Sequence, residues 1–135
     1  MSDMVRGDDG ASLSALLVED EPLVAIVAEE SLRSIGYEPV VAPTAGAAIL
    51  AIEGGLYPAF AVIDVGLPDG RGDDLVTTLR ALRQGLPVIM VSGYEEDELR
   101  ARFEGHSGVA VVAKPYTELD LARAARSLGL ACLGV

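Results

Sequence analysis

AVIDVGLPDG, residues 61–70, drives an apolar run, Ala61-Val62-Ile63, straight into a carboxylate, Asp64, and then breaks at Gly66 and Pro68. A buried strand has no use for an ionised end unless a cation or a reaction there needs one. The following Pro68-Asp69-Gly70 has turn chemistry, so Asp64 stands where strand passes into loop.

Four further apolar runs flank this one. SALLV (14–18), EPVVA (38–42), AFAVI (59–63), PVIMV (87–91) and VAVV (109–112) each have the length of a strand. They are rich in β-branched residues, and most lack strict alternation, the pattern of strands covered on both faces of a parallel sheet. Helical spacing fills the gaps. Val24, Val27, Ala28, Leu32 and Ile35 form one stripe closed by Gly36, and Leu75, Leu79 and Leu82 form another before Gly85. Leu121, Ala124, Ala125 and Leu128 make a last stripe before Gly129, and residues 44–53 are Ala-rich up to Gly54-Gly55. Residues 95–104 open on acidic side chains and offer only Leu99 and Phe103 as an i, i+4 pair, which predicts a short helix. Five alternations of strand and helix predict an α/β three-layer sandwich on a parallel sheet.

In such sheets functional groups gather at the carboxyl ends of the strands. Those ends carry Glu19-Asp20-Glu21, Asp64, Ser92-Gly93-Tyr94 and Lys114-Pro115. Two carboxylates about 5 Å apart repel by roughly 3 kcal/mol at an effective dielectric near 20, so a proton or a cation must sit between them. Hard oxygen donors with an open face suit Mg²⁺, which favours phosphate as a further ligand. A carboxylate nucleophile, a divalent metal, a lysine and a hydroxyl together describe phosphoryl transfer onto aspartate. Taken singly, each group has a plainer reading: Glu19 to Glu21 as a cap for a helix at Pro22, Asp64 and Ser92 as turn residues, Lys114 as a solvated charge. Their coincidence at one end of successive strands favours a site.

The whole chain is compatible with this. Its 135 residues suffice for one domain with a proper core, and apolar residues make up 50% of it. A formal charge of −11 argues against a nucleic-acid surface, which needs clustered Lys and Arg. A lone cysteine, Cys132, cannot make an internal disulfide, which predicts a reducing compartment. No run approaches the roughly 18 apolar residues of a membrane span, and the polar start MSDMVRGDDG is unlike a secretory signal. A cytoplasmic location is expected. Residues 1–13 read as a mobile leader, 14–130 as the domain and 131–135 as a C-terminal tail.

At the strand-end residues the sequence resembles the receiver domain of two-component response regulators, over about residues 14–128. LLVEDEPLV resembles the family's acidic opening, VIDVGLPDGRG its phosphoacceptor loop, VIMVSGY its hydroxyl strand and VVAKPY its lysine-proline end. The resemblance implies a flavodoxin-like fold with strand order 2-1-3-4-5. It implies Asp64 as the phosphorylated residue, and Mg²⁺ held by Asp20, Asp64 and the Gly66 carbonyl, with Glu19 acting through water. Ser92 would hydrogen-bond the incoming phosphoryl group, Lys114 would pair with it, and the Lys114–Pro115 bond would be cis. The donor would be a histidine kinase or a histidine phosphotransfer protein, and the protein would be a signalling domain and not an enzyme. The added charge would bias the fold between two states and alter contacts with a downstream partner.

The chain departs from the family pattern in two places. Many receivers carry Phe or Tyr three residues before the lysine as a switch; here that position is Val111. Tyr94, two residues past Ser92, is expected to contribute to the switch or to shield the phosphoryl group, the plainer reading being loop packing. The chain stops at LGLACLGV, which suggests a single-domain regulator whose apolar tail extends the last helix or covers a partner surface. Residues 95–104, 109–112 and 116–128 correspond to the face receivers use for partners and dimers, where Arg100, Arg102, Arg123 and Arg126 are available for acidic patches. A nucleotide-binding P-loop is excluded because no Gly-rich run is followed by Lys-Ser or Lys-Thr. A haloacid-dehalogenase-type phosphatase would need a second Asp where Gly66 stands. The remaining rival is a receiver-fold adaptor that binds partners without being phosphorylated.

Overall fold

The computed structural model describes residues 13–93 and 96–133. The main sheet consists of β1 (Ser14–Val18), β2 (Glu38–Ala42), β3 (Phe60–Asp64), β4 (Val88–Ser92) and β5 (Val109–Ala113). All four pairings are parallel, in the order β2-β1-β3-β4-β5. This is the α/β architecture and strand order expected from the sequence. The helices are α1 (Pro22–Ser34), α2 (Ala45–Glu53), α3 (Gly72–Leu82), α4 (Glu96–Arg102) and α5 (Glu118–Ser127).

Strand burial explains the missing alternation. Every residue of the central strands β1, β3 and β4 is buried, whereas the edge strands β2 and β5 are partly open. Pro39, which cannot donate to a ladder, falls on the edge strand β2. Successive residues feed opposite layers: Ala15 and Leu17 pack with α1 and α5, and Leu16 and Val18 pack with α2, α3 and α4. Helix ends follow local chemistry. Thr44 caps α2 by accepting from the Ala47 N–H at 3.0 Å, Pro22 opens α1, and Thr117 and Asp120 form a capping box on α5.

Two expectations change at the packing level. On α1 the buried set is Ala25, Ala28 and Leu32, continued by Ile35, whereas Val27 is 63% exposed, beside Leu23 at 79% and Ile26 at 52%. The first two turns of α1 are apolar nearly all round, so periodicity could not choose the face; alanines at the contact let the helix lie close on the sheet. Residues 129–133 do not extend α5. Gly129, at φ +87°, turns the chain back, the Tyr37 hydroxyl donates to the Ala131 carbonyl at 2.7 Å, and the Leu133 N–H donates to the Ile35 carbonyl at 2.9 Å. Residues up to Leu133 thus strap the turn that follows α1.

Candidate functional site at the strand ends

The sheet ladder runs on past the strands and sets the backbone of the site. The Glu19 N–H donates to the Ala42 carbonyl at 3.1 Å, Val65 to Val91 at 3.0 Å, and Lys114 to Ser92 at 2.7 Å. Residues far apart in sequence therefore leave adjacent strands at the same level. One oxygen each from Glu19, Asp20 and Asp64 lies within 4.8 Å of the others. Glu19 and Asp64 are buried and Asp20 is exposed, so the cluster opens to solvent on one side. The Lys114 Nζ donates to Asp64 Oδ2 at 2.8 Å, and the Gly66 N–H donates to Asp64 Oδ1 at 3.2 Å. Asp20, Asp64, Gly66, Gly93 and Lys114 line one open cleft. The Lys114–Pro115 bond is cis, as expected.

The electrostatics express strain among like charges. Burial pushes the Glu19 carboxyl above its usual range; the Glu21 N–H, donating to Glu19 Oε2 at 3.2 Å, offsets part of this, and the Asp64 carboxylate adds to the rise. Burial alone would lower Lys114, but the Asp64 carboxylate, aided by Glu19 and Glu21, holds its ammonium above the ordinary value. One ammonium thus faces a cluster of carboxylates it cannot neutralise. Ser92 is fully buried, and its Oγ has no hydrogen-bond partner among the described residues. A hydroxyl left in that condition costs about 1–3 kcal/mol until something approaches it. The donor set (three carboxylates, open on one face) fits a hard divalent cation of the Mg²⁺ type.

Of the residues singled out in the sequence, Glu19, Asp20, Asp64, Gly66 and Lys114 meet at this cleft, with Ser92 at the end of the neighbouring strand. Val111 is buried in β5 and its side of the strand belongs to the layer of α4; its carbonyl accepts from Arg100 Nη2 at 2.9 Å. Tyr94 lies outside the described residues. On the α4–β5–α5 face, Arg100, Phe103, Val111, Asp120 and Arg123 border an open groove. Arg102, expected to be available for a partner there, stays exposed but is engaged by α3: its Nη1 pairs with Asp73, and its Nη2 meets Asp74 Oδ1 at 3.0 Å.

Three contributors escaped the sequence reading. Gly72 opens α3 directly against Asp64: a Cβ there would lie 2.0 Å from the Asp64 carbonyl oxygen. Asp73 is a buried carboxylate held by Arg71 Nε at 2.9 Å. Asp69 accepts from the Ala45 and Gly46 N–H groups, both at 2.9 Å, tying the loop after β3 to the start of α2. The run GRGDD, residues 70–74, carried a signal, a glycine and two carboxylates opening a helix, but nothing said which neighbour they meet. A two-residue antiparallel ladder, Gly66–Leu67 with Gly70–Arg71, closes the loop between them.

Residues 15–126 match the response regulator receiver domain family. The regulatory protein TcrX of Mycobacterium tuberculosis is 32% identical over 124 residues, covering 92% of this chain and 53% of TcrX. Sensor kinase CckA of Brucella abortus is 30% identical over 123 residues, 90% of this chain but 13% of the kinase. The chain spans about half the length of TcrX, and 46% of the photosynthetic apparatus regulatory protein RegA of Rhodovulum sulfidophilum, to which 63% of it aligns at 37% identity. Among solved structures, a CheY-like receiver domain protein from Methanospirillum hungatei superposes with a TM-score of 0.74 at 32% identity, covering 86% of this chain and 93% of that one. A receiver protein from Sinorhizobium medicae has the same fold, with a TM-score of 0.77 over 87% of this chain and 94% of that one at 21% identity. Strand order, the acidic strand-end cluster and a match over most of the length agree: the chain belongs to the receiver domain family of two-component response regulators.

Proposed function

We propose that this receiver accepts a phosphoryl group on Asp64 from a histidine kinase or histidine phosphotransfer protein, in a Mg²⁺-dependent reaction, and signals through altered protein contacts. The observation that carries the proposal is the convergence of the Glu19, Asp20 and Asp64 carboxylates within 4.8 Å, with Lys114 Nζ 2.8 Å from Asp64. Asp20, Asp64 and the Gly66 carbonyl would hold the cation, with Glu19 behind them through water. Bound there, Mg²⁺ would neutralise charge on the carboxylates and on the phosphoryl oxygens.

The chain's own residues do the remainder. A carboxylate oxygen of Asp64 attacks phosphorus as the bond to the donor's imidazole nitrogen breaks, and the imidazole keeps the electron pair. Lys114 exchanges its pairing with Asp64 for a phosphoryl oxygen, keeping a positive charge where negative charge accumulates. Ser92 Oγ, buried without a partner, supplies a hydrogen bond that no group inside the described fold uses. The acyl phosphate adds up to about two negative charges at the rim.

The donor would be a protein whose surface covers the ground beside the cleft. Leu23 and Val27 of α1 border an apolar hollow with Lys114, Pro115 and Tyr116, so a phosphohistidine brought to Asp64 arrives across it. Residues 14–130 would form the receiver unit, acting in the cytoplasm, with the α4–β5–α5 face open to a downstream protein or a second copy and Tyr94 assisting the switch. Incubation with Mg²⁺ and acetyl phosphate, followed by intact mass, tests the reading: one hydroxylamine-sensitive phosphoryl group is expected, and none in Asp64→Ala. An unmodified wild-type mass would leave the adaptor reading in its place.

A further inference from the structure

Asp73 has no part in the proposed chemistry, yet it is a carboxylate only 3% exposed inside the fold. Arg71 grips it with two donors, Nε to Oδ1 at 2.9 Å and Nη2 to Oδ2 at 3.2 Å. Arg102, from the last turn of α4, adds a third through Nη1 and reaches Asp74 as well. Burial alone would raise this carboxyl, but the Arg71 and Arg102 guanidiniums hold it below its usual range. One buried carboxylate thus joins the loop after β3, the start of α3 and the end of α4.

Those pieces are the ones that surround Asp64. Arg71 pairs with Gly66 across the short ladder, so the guanidinium on Asp73 also fixes the segment carrying the Gly66 carbonyl. The residue before Asp73, Gly72, has no room for a Cβ against the Asp64 backbone, and its N–H donates to the Val65 carbonyl at 2.8 Å. α4 is short; it rests on the core mainly through Leu99, which is buried, and on β5 through Arg100. Its last turn is tied to α3 by Arg102.

We infer that Asp73 is a positioning residue for the phosphoacceptor loop and the joint that couples it to α4, so the geometry at Asp64 and the docking of α4 depend on each other. The inference rests on the phosphoacceptor reading and adds to it a residue and a route. Loss of Arg102 leaves Asp73 with Arg71 alone and unties α4 from α3; the start of α3 loosens, and with it the glycine wedged against Asp64. Coupling between sites is reciprocal, so a ligand on Asp64 must tighten α4 through the same joint.

The test uses Arg102→Gln in the full chain, because Arg102 is 43% exposed and touches none of the residues proposed for chemistry. Asp73→Asn is the second variant, and thermal melts establish that each is folded at the assay temperature. With saturating Mg²⁺ and acetyl phosphate, Arg102→Gln is expected to slow phosphorylation several-fold, within the ~100-fold that a misplacement of about 1 Å can cost, and Arg102→Lys to recover part of the rate. Beryllofluoride with Mg²⁺ is expected to slow amide hydrogen exchange across α4 in the wild type and to lose that effect in Arg102→Gln. A folded Arg102→Gln that is phosphorylated at the wild-type rate, or an α4 response to beryllofluoride that survives the substitution, overturns the inference and leaves the phosphoacceptor reading standing. A wild type that takes no phosphoryl group overturns both.

Discussion

Gly72→Ala puts the architecture of the site under the most direct test. The added Cβ would lie 2.0 Å from the Asp64 carbonyl oxygen, 2.8 Å from its carbonyl carbon and 2.9 Å from Ile63 Cγ2, where ordinary contact begins at 3.4 Å. The nearest atoms are backbone of a fully buried strand, so no flexible side chain can swing away. Overpacking of this kind costs about 1–3 kcal/mol. The hydrogen bond from the Gly72 N–H to the Val65 carbonyl, now 2.8 Å, is lost if the helix backs away, at about 0.5–1.5 kcal/mol. A total of roughly 2–4 kcal/mol corresponds to a fall in Tm on the order of 10 °C for a domain of this size. The same retreat moves Asp64 relative to Lys114, and misplacement by about 1 Å can slow a reaction ~100-fold. Circular dichroism melts and acetyl-phosphate kinetics read the two effects. Gly93→Ala is the control for the melts alone: a Cβ there meets nothing within 4 Å, but Gly93 lines the cleft beside Asp64. A Gly72→Ala variant that melts within about 2 °C of the wild type, on the scale just used, and is phosphorylated normally would refute the wedge.

Other outcomes follow from the same geometry. Glu19→Gln is expected to raise Tm without Mg²⁺ and to weaken Mg²⁺ binding by calorimetry: the Glu19 pKa is raised in the fold, so its contribution to stability declines as pH rises from its unfolded value through the folded one, and an ionised Glu19 is a cost at neutral pH. Asp73 runs the other way. Its pKa is lowered, so its stabilisation is present above the unfolded value near 3.8 and is lost as pH falls through the folded value; Asp73→Asn is expected to flatten that acid limb in urea titrations between pH 2 and pH 5. Leu23→Asp on α1, which is 79% exposed, is expected to leave stability within about 0.5 kcal/mol and acetyl-phosphate labelling unchanged, while cutting transfer from a cognate phosphohistidine protein tenfold or more, on the order of 1.4 kcal/mol. Equal loss with both donors would mean that α1 shapes the site itself and does not receive the donor.

The sequence by itself determined the sheet and the ends of its strands. Apolar runs that ignore alternation, as in Phe60 to Ile63, can only be covered on both faces, and five of them separated by helical stretches leave a parallel order as the economical solution. Once parallel, the strands deliver Glu19, Asp20, Asp64, Ser92 and Lys114 to one rim whatever the details of packing. Tertiary structure alone decided the rest. The face of α1 that meets the sheet was hidden because Leu23, Ile26 and Val27 make its first turns apolar on every side, and close approach through Ala25 and Ala28 settled it. Arg102 read as a surface charge until α3 placed Asp73 and Asp74 beside it, and Gly72 read as a helix opener until Asp64 filled the space where a Cβ would go. Periodicity reports burial along one segment, and strand-end position follows from topology; which side chain answers a given charge or fills a given gap depends on distances between segments, which no local pattern records.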